Sequence, residues 1–151
     1  MSILLMGLKE RSALFAKLSQ VAYLHPTDAK RISKLLGFTK VEFYDRNGAQ
    51  AYRFQNKDDL VIACRGTQPS EFNDIKADLQ AIPVISETIS RVHSGFKSEV
   101  DELWPMIRED LDPKVFAKRT LWVTGHSLGG AMATIIACLL YTSDAADDVN
   151  G

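Results

Sequence analysis

An α/β domain is predicted by three stretches of the 151-residue sequence, with a mainly parallel sheet, an N-terminal antiparallel hairpin and flanking helices. Residues 41–44 and 51–54 are strand-like runs either side of Asn47 and Gly48, a pair suited to a tight hairpin turn. Residues 60–64 (Leu60, Val61, Ile62, Ala63, Cys64) form a continuous apolar run, as in a strand buried on both faces. A second such run, 121–124, leads into Gly125, His126, Ser127, Leu128, Gly129 and Gly130, and then into an apolar, alanine-rich stretch ending at Ala137.

Strand, glycine-bounded serine and helix in that order describe a nucleophile elbow. The sharp turn lifts the serine Oγ clear of the sheet and aims the first free N–H groups of the helix at whatever the serine attacks. Side chains at Gly125 and Gly129 would collide with neighbouring backbone in so tight a turn, and Gly130 keeps the helix slim where it meets the sheet. The bare G-x-S-x-G pattern arises by chance in about one chain in twenty of this length. The flanking strand and helix make coincidence a poor account of it.

The remaining elements follow in order. Residues 8–24 carry Leu14, Leu18, Val21 and Ala22 at helical spacing between charged residues, which predicts an amphipathic helix. Pro26 ends it; Thr27 and Asp28 suit the cap of a short second helix closed by Gly37. His25, at the junction, reads as a cap or surface residue. Arg65, Gly66 and Thr67 lie just past the carboxyl end of the 60–64 strand, where sites form in open α/β sheets. Thr67 is placed there to donate its N–H, and its hydroxyl, toward Ser127; a turn residue capping the next helix is the plainer role, and the two are compatible. Residues 69–79, Pro69 through Leu79, have Phe72, Ile75 and Leu79 at helical spacing: a lid that meets lipid when open, or an ordinary packed helix. Residues 91–96 lead into a helix with Phe96, Val100, Leu103, Trp104, Ile107 and Leu111 on one face, which Pro105 should kink or divide.

Bulk composition sets further bounds. The chain is 46% hydrophobic and 25% charged, with a formal charge of -1, so nothing attracts it in bulk to nucleic acid or an anionic membrane. The start, from Met1 to Met6, is apolar but short and lacks a basic leader, a poor signal peptide; a cytoplasmic setting is expected. Cys64 and Cys138 sit in apolar runs and read as small buried side chains, and no Cys/His spacing suggests zinc. No metal or organic cofactor is expected, and composition leaves the oligomeric state open.

The motifs at Arg65-Gly66-Thr67, Val92-His93-Ser94-Gly95-Phe96 and Gly125 through Ala131 stand in the order of one family. The chain resembles the class 3, fungal-type lipases of the α/β-hydrolase fold, roughly from Ala13 to Ala137, with 73–79 similar to that family's lid region. The resemblance implies a partial α/β-hydrolase fold and hydrolysis of carboxylic esters such as acylglycerols or phospholipids. It implies Ser127 as nucleophile, the N–H groups of Thr67 and Leu128 as the oxyanion hole, and a structural role for His93. A lipid or ester is then the expected substrate.

Two departures matter. In this fold Asp and then His follow the serine, and no histidine follows Ser127. Asp144, Asp147 and Asp148 follow too closely to fill the acid's place. Residues 138–148 are similar to a translated transposase-type sequencing adapter. The lipase-like part is therefore expected to span 1–137, with 138–151 a non-native tail. Such a chain, truncated before the catalytic Asp and His, is expected to be inactive as it stands. The alternative is a non-catalytic lipid-binding or scaffold relative that kept the elbow. A nucleotide binder is disfavoured, since no G-x-G-x-x-G or Walker loop follows a strand.

Overall fold

A computed structural model describes residues 2–66, 85–111 and 118–149, with backbone alone for 85–96 and 142–149. The described elements run α1 (Leu8–Val21), α2 (Pro26–Leu35), β1 (Lys40–Arg46), β2 (Ala49–Gln55), β3 (Asp59–Cys64), α3 (Ile85–Asp110), β4 (Thr120–Gly125) and α4 (Leu128–Val149).

The sheet has order β1-β2-β3-β4. β1 and β2 are joined by Asn47 and Gly48, both at positive φ (51° and 87°), the left-handed conformation that a two-residue hairpin turn requires. β2 pairs antiparallel with β3, and β3 pairs parallel with β4. The described sheet is therefore mixed rather than mainly parallel. The hairpin contributes one antiparallel pairing and β2 with β3 the other, and β3 with β4 is the single parallel pair among the described residues. Parallel pairing needs a crossover, and α3 lies between β3 and β4 in the chain.

β3 shows why a continuous apolar run belongs there. Its side chains alternate between two cores. Val61 and Ala63 join Leu18, Val21, Ala22, Ala29, Phe38, Tyr52 and Phe54 on the α1/α2 face. Leu60, Ile62 and Cys64 join Val100, Leu103 and Ile107 of α3 and Met132, Ala133 and Ile136 of α4 on the other. Two helical layers thus sandwich the sheet. Among the described residues β4 pairs only with β3, and its side chains are half-exposed where those of β3 are buried.

Several boundaries differ from expectation for local reasons. His25 takes the cap role read for it, and Thr27 and Asp28 do not cap α2: the His25 Nδ1 accepts the Thr27 N–H at 3.4 Å, and Pro26 takes the first helical position, where no donor is needed. α3 starts at Ile85, ahead of the expected start near Phe96, and runs through Pro105. Pro105 and Asp101, whose carbonyl has no helical donor at position 105, are both exposed residues. Cys138 is exposed, because Thr134, Ala137, Cys138 and Tyr141 form the outer face of α4. α4 continues through the segment expected to be a tail, with Leu139 and Leu140 against the α3/α4 core. No helix among the described residues is long and apolar enough to cross a membrane.

Candidate functional site

The register of the parallel pair sets the site. Cys64 lies opposite Gly125, so the chain leaves β3 at Arg65 and Gly66 directly beside the turn at His126 and Ser127. Ser127 has φ 55°, a left-handed conformation rare outside glycine and costing of order 1–3 kcal/mol. It is exposed, and α4 begins at the next residue, Leu128, which is half-buried. The N–H groups of Gly129 and Gly130 donate to the carbonyls of His126 and Ser127 at 3.0 and 2.9 Å, tightening the first turn.

Close backbone contact explains the glycines. A Cβ on Gly125 would stand 2.1 Å from the Gly129 carbonyl oxygen, and one on Gly129 would stand 2.4 Å from the Cys64 carbonyl oxygen. Neither space admits a side chain. Gly130 is looser, its nearest neighbour being the Gly125 carbonyl oxygen at 3.4 Å. Gly66 is crowded too, though less than Gly125 and Gly129: a Cβ there would meet His126 O at 2.8 Å and Gly129 N and Tyr23 Oη at 2.9 Å each.

The N-terminal helix closes one side. Ser19 and Thr124 share a hydrogen bond of 2.9 Å, and the Tyr23 hydroxyl donates to the His126 carbonyl at 3.4 Å. The His126 ring stands edge-on to the Tyr23 ring at 6.3 Å, and that imidazole is exposed. The Arg65 guanidinium lies 5.7 Å from the centre of the Tyr23 ring and donates to the Gln50 side-chain oxygen. An open groove of about 1340 Å³ runs from Ser127, His126 and Tyr23 past the apolar Ala13, Ala16 and Ile32.

Of the residues the sequence singled out, Gly125, His126, Ser127, Leu128, Gly129 and Gly130 come together at one turn. Thr67 and the whole of 69–79 lie outside the described residues. His93 is on α3, with its side chain outside them. Tyr23, Ser19 and Thr124 carried no sequence signal, because their contacts span more than a hundred positions. Burial pushes the Cys64 thiol up to about 12, so this cysteine beside the site is a small apolar side chain and not a nucleophile at neutral pH.

The described residues define an α/β fold with a left-handed serine between a parallel strand and a helix. The family model for lipase (class 3) matches residues 61–149, and the chain belongs to the class 3 lipase family. It is 33% identical over 118 residues to a lipase of Rhizomucor miehei, a match covering 76% of this chain and 32% of that protein. The chain thus spans about a third of that relative's length. No solved structure matches it.

Proposed function

We propose that the chain carries the nucleophile-bearing part of a serine carboxylic ester hydrolase acting on acylglycerols or related lipid esters. The observation that carries this is Ser127: exposed, left-handed, and held between Gly125 and Gly129 at the carboxyl edge of the sheet, inside the matched family region. Ser127 Oγ attacks the ester carbonyl. The N–H of Leu128, at the start of α4, and that of Thr67, the residue after Gly66, stabilise the oxyanion that forms. Losing one such donor typically costs about 3–4 kcal/mol of barrier.

A serine hydroxyl is a weak nucleophile at neutral pH without a base. None of the histidines His25, His93 and His126 follows Ser127 in sequence. The proposal therefore assigns the base and its orienting acid to sequence beyond this chain, treats 138–151 as read-through, and holds the 151 residues alone to be inactive. The apolar positions of 69–79 are assigned to a lid that meets lipid. The alternative reading is a non-catalytic lipid-binding or scaffold relative that kept the elbow.

Reading the source gene past residue 137 separates the two. An Asp followed by a His, in a protein that hydrolyses tributyrin and loses activity on Ser127→Ala, supports the enzyme. A long open reading frame with no such pair, or hydrolysis that survives Ser127→Ala, refutes it.

A further inference from the structure

The carbonyl of His126 accepts two hydrogen bonds, from the Gly129 N–H at 3.0 Å and from the Tyr23 hydroxyl at 3.4 Å. The first belongs to the turn itself. The second comes from Tyr23, just past α1 and 103 positions away in sequence. The same hydroxyl stands 2.9 Å from where a Gly66 Cβ would be, so it occupies the space that this glycine leaves open. The ring of Tyr23 lies beside the Arg65 guanidinium at 5.7 Å and meets the His126 ring edge-on. One side chain thus touches both halves of the site: the end of β3, which leads to residue 67, and the turn that carries Ser127.

A second hydrogen bond makes the contact a splint rather than a single point. Ser19, inside α1, bonds Thr124, inside β4, while Tyr23 and His126 each lie just past those elements and bond there. The end of α1 and the residues that follow it are thus fastened at two places, to β4 and to the Ser127 turn.

We propose that Tyr23 is a positioning residue, which fixes the Ser127 turn against Arg65 and Gly66 at the end of β3. The catalytic part of this role rests on Ser127 being the nucleophile; the positioning part does not. Ser19 fastens the same helix farther from the turn and is the control.

Amide hydrogen exchange of the 151-residue chain at nanomolar concentration, below the range in which the β4 edge is expected to associate, followed by residue-resolved mass spectrometry, reads the positioning directly. In Tyr23→Leu the Gly129 amide is expected to exchange about tenfold faster, the worth of a weak hydrogen bond and a ring–guanidinium contact. Ile62 and Val61 in β3 should keep their protection. Tyr23→Phe, which keeps the ring, should show a smaller rise, and Ser19→Ala should leave Gly129 unchanged. Unaltered Gly129 exchange in Tyr23→Leu, or an equal rise in Ser19→Ala or throughout β3, overturns the proposal. A fluorophosphonate ester then tests the link to chemistry. If Ser127 is modified, Tyr23→Leu should slow the reaction about tenfold, and an unchanged rate overturns the catalytic part. If Ser127 is not modified, the nucleophile assignment fails, and Gly129 exchange still decides whether Tyr23 positions the turn.

Discussion

Gly66 and Gly129 meet backbone to backbone: a Cβ built on either would lie 2.9 Å from the other's amide nitrogen. That contact joins the end of β3 to the start of α4 and brings the two chain segments of the candidate site together. A side chain on either glycine would drive them apart.

Gly129→Ala is the sharper test, because its Cβ would also stand 2.4 Å from the Cys64 carbonyl, an atom fixed in a buried strand. The variant is expected to lose about 1–3 kcal/mol, the usual cost of overpacking, read as a lower urea midpoint at unchanged m-value. Gly130→Ala, with its nearest atom at 3.4 Å, should cost far less. Equal losses at the two positions would contradict the contact.

Asp59 ties three parts of the chain. It is fully buried, and its carboxylate accepts the Ile3 N–H and the Trp122 Nε1–H, each at 2.9 Å. Asp59→Ala orphans both donors, at about 1–3 kcal/mol each where they stay buried. Asp59→Asn keeps an acceptor and should recover part of the loss. Urea unfolding of the two variants checks the order.

Alkaline pH should unfold the chain through its buried phenols. Burial pushes Tyr52 up to about 12, partly offset by the nearby Arg65, and its hydroxyl donates to the Leu24 carbonyl at 2.8 Å. Burial raises Tyr44 too, against the opposing charge of Arg53. Between about pH 10, where an unfolded phenol ionises, and pH 12, the folded state holds protons that the unfolded state has released. Stability therefore falls as pH rises through that window. Denaturation midpoints measured across it should decline, and Tyr52→Phe should flatten the decline.

β4 predicts self-association. It is an apolar strand that pairs on one side only among the described residues, and its side chains are half-exposed. An open apolar edge recruits further strands. The 151-residue chain at micromolar concentration is expected to sediment as oligomers or precipitate; a stable monomer would contradict this.

Much of the fold was legible because local chemistry decides it. Asn47 and Gly48 accept the positive φ that a two-residue turn demands, and the uninterrupted run from Leu60 to Cys64 suits only a strand covered on both sides. The Ser127 turn was legible for a similar reason, since two glycines and a serine between strand and helix leave few geometries open. Less legible were features set by distant neighbours. Pro105 lies inside a helix, on its exposed face, and Cys138 is exposed because it falls on the outer face of α4. Tyr23 could not be singled out at all, since its significance lies in a turn 103 positions further on.

The most direct test of Ser127 as the nucleophile is its reaction with a fluorophosphonate ester, mapped by peptide mass spectrometry. With no base following it in the chain, the reaction should be slow, but it should fall on Ser127 and vanish in Ser127→Ala. Modification of other serines with Ser127 untouched, or identical labelling of Ser127→Ala, would contradict the account.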